Sequence, residues 1–244
     1  MRIAFYNQMF ALNGRSPFSN LIGHWAVHFQ GNESKIWKRT DLNRTIEIIG
    51  KSKADIIAIA EILEGQEKEL EDKLRGLGYR YIFFGKGHKT KFRKLYVKVA
   101  IASKFKCKQI EIFDFPVKNE MGGGGGIIRC SFPELKLNLI NVHLACVKKR
   151  VYQEQIKFLE DYVKEIKGKL ILMGDFNLRY KEIKDSFKTL KLISDEIKTC
   201  SVTPLFNWFS CKDLDHILVK GLEKKNLGEL KGYSDHKLIW ADLY

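Results

Sequence analysis

The stretch Lys169 to Asn177, K-L-I-L-M-G-D-F-N, limits what this chain can fold into more than any other. Leu170 to Met173 are apolar without a break. A strand covered on one face alternates, whereas a strand covered on both reads as a continuous hydrophobic run, so this one predicts a sheet with layers above and below it. It ends in Gly174-Asp175-Phe176-Asn177, which sets a carboxylate and a carboxamide two residues apart, on one side of the chain, where a buried strand emerges. The mouth of a sheet is where α/β proteins keep their chemistry. Alone, a D-x-N after a strand is a turn or a helix cap. The rest of the chain has to decide.

A second buried strand, Asp55-Ile56-Ile57-Ala58-Ile59-Ala60-Glu61, also ends in a carboxylate. Arg2 to Asn7 alternates into a first strand, with Ile3 and Phe5 on one face and Asn7 closing that face. Leu42, Ile46 and Ile49 recur at helical spacing, Glu64 to Arg75 reads as a charged surface helix, and Gly76-Leu77-Gly78 stops it. Further strands are predicted over Tyr79–Phe84, Leu95–Ser103 and Ile110–Phe115. A hairpin of Ile127–Phe132 and Leu135–Leu144 follows, with His143 near its end. Ile156, Leu159, Val163 and Ile166 mark an amphipathic helix over Val151–Ile166. Tyr180–Leu190 reads as a helix, Leu214–Val219 as a strand, and Gly232-Tyr233-Ser234-Asp235-His236 feeds a last strand, Lys237–Leu243. The run Gly122 to Gly126 lacks the G-x-x-x-x-G-K-[ST] spacing of a phosphate-cradling loop and is expected to be a flexible hairpin turn. No repeat and no linker breaks the chain, so residues 1–244 are expected to form one domain.

Composition narrows the partners. No apolar run approaches the ~20 residues needed to cross a bilayer, and Met1-Arg2-Ile3-Ala4-Phe5-Tyr6-Asn7 lacks the apolar core of a signal peptide, so a cytoplasmic protein is expected. The five cysteines are odd in number, widely spaced and without a C-x-x-C pair. This fits reduced thiols and argues against a zinc site or a disulfide framework. Lysine and arginine number 43 against 29 acidic residues, a net charge of +14 without a basic tail. Such a field favours polyanions, yet by itself it does not choose among nucleic acid, anionic lipid and phosphoprotein, and it is also what a Lys-rich composition alone produces. Residues 8–38, with Phe18, His24, Trp25, His28, Phe29 and Trp37, show no strong periodicity. A segment of that length usually carries function or moves.

The polar residues at strand mouths are Asn7, Glu61, His143, Asp175, Asn177, Asp215, Asp235 and His236. Each alone is an ordinary cap or turn; their shared position is the signal. Hard carboxylate oxygens suit Mg²⁺ or Mn²⁺, and no Cys/His cluster is offered to zinc. Because Mg²⁺ takes one or two carboxylates together with substrate phosphate, the set points to metal-assisted phosphoryl chemistry.

With those residues assembled, the chain resembles the endonuclease/exonuclease/phosphatase superfamily of metal-dependent phosphodiesterases. The resemblance rests on I-A-F-Y-N at Asn7, D-I-I-A-I-A-E at Glu61, N-V-H-L at His143, G-D-F-N at Asp175 and Asn177, L-D-H-I-L-V at Asp215, and S-D-H at Asp235 and His236. It implies a four-layer α/β sandwich, two mixed sheets packed face to face with helices outside. Glu61 would be the principal ligand of Mg²⁺ or Mn²⁺, with Asn7 and Asp235 beside it. Asp175 would orient or deprotonate the attacking water, and Asn177 would hold that water or a phosphate oxygen. His236, oriented by Asp215, would bind the scissile phosphate, and His143 would donate to another phosphate oxygen or help protonate the leaving group. Two positions depart from common family patterns, Met9 where a second polar residue often stands and Ala60 where Gln often precedes the metal-binding Glu.

For the substrate, the charge and the aromatics Phe206, Trp208 and Phe209 favour nucleic acid, DNA before RNA, since aromatics among cations stack bases while contacting the backbone. A phosphatase or lipid phosphodiesterase of the same fold is the second reading, and a non-catalytic nucleic-acid-binding relic the third. The intact set of Glu61, Asp175, Asn177, Asp215 and His236 argues against the relic. A monomer without stable membrane association is expected, there being no amphipathic membrane-binding helix in the sequence.

Overall fold

The two uninterrupted apolar runs become inner strands of two different sheets. The computed structural model describes residues 1–12, 40–89, 95–117, 123–146, 149–194, 197–201 and 211–244. In the first sheet, β1 (Arg2–Asn7) lies parallel to β2 (Ile56–Leu63). Antiparallel neighbours complete the order β13-β14-β1-β2-β4-β3, where β3 is Tyr81–Phe84, β4 Val97–Ser103, β13 Lys224–Leu230 and β14 Leu238–Leu243. The second sheet has the order β5-β6-β7-β8-β12-β9. Its strands are β5 (Gln109–Phe113), β6 (Gly123–Phe132), β7 (Leu137–Ala145), β8 (Lys169–Asp175), β9 (Lys191–Leu192) and β12 (Asp215–Lys220), and only β7 and β8 run parallel. The short strands β10 (Cys200–Ser201) and β11 (Cys211–Lys212) pair with each other.

Alternate residues of one strand serve different cores. Ile171 and Met173 of β8 pack with Ile3, Phe5, Ile56, Val99 and Ile217 between the sheets. Leu170 and Leu172 point the other way, into the cluster formed with Leu159 and Val163 of helix α3 (Lys149–Glu165). On the far side, Ile57 and Ile59 of β2 pack with Ile48 of α1 (Leu42–Ser52) and Leu70 of α2 (Glu67–Gly76). The layers are therefore helix, sheet, sheet, helix. At ~1.5–3 kcal/mol per buried aliphatic side chain, the double burial of β2 and β8 accounts for their unbroken hydrophobicity.

Several elements differ from the sequence-based expectation. The glycine run is not a hairpin turn: Gly123 to Gly126 belong to β6, with a register slip between Gly123 and Gly126, and Gly126 pairs with His143; Gly122 lies outside the described residues. Gly126 adopts φ 84°, a left-handed conformation that glycine takes at little cost where the ladder is irregular. The helix expected over Tyr180–Leu190 stops as α4 (Tyr180–Lys184), because Phe187 and Leu190 reach the outer core from turns. β2 does not end at Glu61 but continues to Leu63 through a bulge between Ile59 and Ile62. β13 was not foreseen; its K-K-N-L-G-E-L sequence is polar because the strand is a solvent-facing edge. Residues 13–39, which hold most of the aromatic segment, and Phe206, Trp208 and Phe209 lie outside the described residues. No described helix is long and apolar enough to cross a membrane.

Candidate active site

Asp175 closes β8 and collects neighbours from both sheets. The parallel register sets His143 of β7 opposite it, and the antiparallel register sets Asp215 of β12 on its other side. Asn7, at the end of β1, crosses from the first sheet and donates its Nδ2–H to Asp175 Oδ2 at 3.0 Å. That same oxygen lies 3.7 Å from His143 Nε2 and 3.8 Å from His236 Nε2. The approach of β7 to β8 that makes this possible requires Gly174, since a Cβ there would sit 2.0 Å from the Val142 carbonyl oxygen.

Around this centre the side chains are fixed by further contacts. Asp175 Oδ1 accepts from the Asn177 backbone N–H at 2.8 Å, and Asn177 Nδ2 donates to Leu144 O at 2.9 Å. Asn177 adopts φ 52°, a left-handed conformation that Asn tolerates better than most residues. His236 Nδ1 is 2.7 Å from Asp215 Oδ2. Ser234 Oγ donates to Asn7 O at 2.7 Å and accepts from the His236 backbone at 3.0 Å, which ties the S-D-H segment to β1. Thr199 Oγ1 accepts from the backbone of Asp215 at 3.1 Å, and Lys237 N donates to Thr199 O at 2.7 Å.

Glu61 stands on the β2 bulge with φ 56°, where a non-glycine residue costs ~1–2 kcal/mol. Its carboxylate comes within 3.8 Å of His143 Nε2 and is 16% exposed, against 2% for the side chains of His143 and Asp175. The structure thus gathers Asn7, Glu61, His143, Asp175, Asp215 and His236 about the Asp175 carboxylate, with the Asn177 backbone bonded to Asp175 and Asp235 next to His236 in sequence. Ser234, Thr199 and Cys200 were not singled out from sequence. Ser234 was visible inside the S-D-H motif; Thr199 and Cys200 carry no sequence signal.

The electrostatics pair an acid with a base. Burial, with help from Asp215 and Glu61, pushes Asp175 up to about 8. Burial alone would lower His236, but Asp215, Cys200 and Asp235 outweigh it and hold His236 well above the usual imidazole range. His236 is therefore an imidazolium held by Asp215. His216, its β12 neighbour in the sheet mouth, is the opposite case: burial lowers it, and its ring sits between Ser194 Oγ and Leu178 O.

Two features of this chain suit a divalent cation. One oxygen of Asp215, Oδ1, is buried without a hydrogen-bond partner among the described residues. Donor atoms of Asp175, Asp215 and His236, and of Cys200, Asp235 and His236, also lie within 4.8 Å of one another. Among these groups the oxygens of Glu61, Asp175, Asp215 and Asp235 are the donors that suit a hard cation. Asn7 spends its Oδ1 on the Met9 N–H at 3.0 Å and faces Asp175 through its amino group.

The fold is shared with TDP2 of D. rerio humanized by 14 mutations, at a TM-score of 0.70 and 17% identity, covering 100% of this chain and 98% of that one. D. rerio TDP2 complexed with single-strand DNA product gives a TM-score of 0.67 at 17% identity over 100% and 98% of the two chains. An endonuclease/exonuclease/phosphatase from Beutenbergia cavernae gives 0.71 at 12% identity over 100% and 71%. The sequence matches none of the curated proteins it was compared with. The Endonuclease/Exonuclease/phosphatase family model, however, matches residues 27–236, from before α1 to the histidine of the S-D-H motif, and the chain belongs to that family.

Proposed function

We propose that this protein is a Mg²⁺- or Mn²⁺-dependent phosphodiesterase that hydrolyses nucleic-acid phosphodiester bonds, DNA foremost. The observation that carries the reading is the convergence of Asn7, His143 and His236 on one oxygen of a buried carboxylate, Asp175. Raised by burial to about 8, Asp175 in its ionised form is a stronger base than an ordinary carboxylate, which equips it to orient and deprotonate an attacking water. Asn177, fixed by its backbone bond to Asp175, would hold that water or a phosphate oxygen.

His236 enters as an imidazolium. Held by Asp215, it donates a charge-assisted hydrogen bond to a phosphate oxygen as negative charge builds up there. His143, between Glu61 and Asp175, donates to a second phosphate oxygen or protonates the leaving group. Glu61 and Asp235, both partly exposed, would hold the cation, and Asn7 would serve the metal side by fixing Asp175; the bound cation would neutralise phosphate charge. The +14 charge supports a polyanionic substrate, as does the DNA product bound by the similarly folded TDP2.

The test is a substrate panel of plasmid, single-stranded DNA, abasic duplex, 5′-tyrosyl DNA, RNA, phosphoinositide and sphingomyelin, each with Mg²⁺ or Mn²⁺. Cleavage of DNA that is lost in Asp175→Asn supports the proposal. Hydrolysis of lipids alone would overturn the nucleic-acid assignment, and equal activity in the variant would overturn the catalytic one.

A further inference from the structure

The bulge that displays Glu61 is held on every side by carboxamides. A bulge leaves backbone groups without ladder partners, and each one left unpaired in the interior costs ~1–3 kcal/mol. Here the carbonyls of Ile59, Ala60 and Glu61 and the N–H of Leu63 each meet a partner. Asn141 of β7 is fully buried and reaches across the sandwich, donating Nδ2–H to Ile59 O at 3.0 Å and to Ala100 O at 2.9 Å. These are the two carbonyls of the last regular pair before the register slips. Gln8 donates its backbone N–H to Ala60 O at 3.2 Å, and its Nε2 lies 3.4 Å from Glu61 O. Gln66 accepts from Leu63 N at 3.1 Å and from Gln8 Nε2 at 3.2 Å, and donates to Phe10 O at 2.8 Å. Its own backbone N–H closes the loop on Leu63 O at 3.0 Å.

The backbone conformation here is one that non-glycine residues rarely adopt. Glu61 has φ 56°, and Met9, Phe10 and Ala11, which Gln66 anchors from the other side, have φ 46°, 60° and 56°. Four non-glycine residues in the left-handed region persist only where their surroundings over-determine them. The three carboxamides contribute to that surrounding at the bulge, and Gln66 extends it to Phe10, beside the Asn7 bond to Met9.

We propose that Asn141, Gln66 and Gln8 are positioning residues that clamp the β2 bulge and thereby fix the direction of the Glu61 carboxylate for cation binding. The proposal rests on the reading of Glu61 as a metal ligand given above. The three side chains act on Glu61 through the backbone of residues 59–63. Asn141 does so from the opposite sheet, two residues before His143 on the same strand, so one strand sets both the histidine and the glutamate that faces it.

The experiment measures Mn²⁺ affinity of the purified protein from the loss of the free-Mn²⁺ electron paramagnetic resonance signal. The variants are Glu61→Gln, Asn141→Leu, Gln66→Ala and Gln8→Ala, with Leu139→Ala as a control that damages the central core on the same strand. Asn141→Leu and Gln66→Ala are expected to weaken Mn²⁺ binding roughly 10- to 100-fold, whereas Leu139→Ala stays within about 2-fold of the parent. Parent-like affinity in the clamp variants, or an equal loss in Leu139→Ala, overturns the clamp while leaving Glu61 as a ligand. Unchanged binding in Glu61→Gln overturns the metal-side reading and the clamp together. If Asn141→Leu does not fold, Gln66→Ala and Gln8→Ala decide on the same criteria.

Discussion

Asp175 and His236 sit 3.8 Å apart and are shifted in the same direction for different reasons. For Asp175 burial dominates, and its ionisation moves from 3.8 in an unfolded chain to about 8. A raised carboxylate contributes its full stability below the unfolded value and loses it as pH rises toward the folded one. In cation-free protein, Asp175→Asn should therefore raise the melting temperature near pH 8 by roughly 4 °C or more and leave it little changed near pH 4, as calorimetry would show. The same variant should lose ~10²–10⁴ of the hydrolytic rate. His236 depends on Asp215 to stay protonated, so Asp215→Asn should move the alkaline limb of the pH–rate profile to lower pH; an unmoved limb would remove His236 from the role of charged donor. His216 is depressed by burial, so its contribution is present above its unfolded value of 6.5 and lost as pH falls. Denaturant titrations between about pH 6.5 and 5 should show a shallower loss of stability in His216→Gln than in the parent.

At the scale of elements, legibility followed burial. β2 and β8 were readable because covering both faces of a strand leaves an uninterrupted apolar run, and α3 because its stripe faces a single sheet. β13 was not, since an edge strand facing solvent has no apolar period to show; its only mark is Gly228, where a Cβ would meet the Trp240 indole at 2.4 Å. The glycine run misled because glycine suggests a turn, whereas here its freedom serves an irregular strand: Gly126 pairs with His143 at φ 84°. The candidate chemical groups were legible as motifs, while Asn141, Gln66 and Thr199, which hold them, were not, because a buried amide or hydroxyl has no sequence period. Gly174 belongs to both classes, visible in the motif and explained only by the 2.0 Å approach of Val142 O. Gly174→Ala should cost about 3 kcal/mol or more in chemical denaturation, because backbone stands where the methyl would go.

Taken whole, the molecule uses the seam between two sheets as a device for assembling a site that neither sheet contains. Asn7 and Glu61 come from the first sheet, and His143, Asp175 and Asp215 from the second; Asp235 and His236 lie on the segment that leads back into the first. The motifs are thus scattered from residue 7 to residue 236 although the groups are neighbours in space, and no single stretch identifies the chemistry. The +14 charge adds a field that should make DNA binding fall steeply with salt, ~10-fold or more between 50 and 200 mM, in a fluorescence anisotropy titration of Asp175→Asn. The most direct test of the account is the single-turnover cleavage rate of a DNA phosphodiester in Mn²⁺, compared among the parent, the parent with EDTA, and Asp175→Asn. The account predicts cleavage by the parent, none with EDTA, and a rate ~10²-fold or more lower in the variant. Cleavage that survives both EDTA and the loss of Asp175 would contradict it.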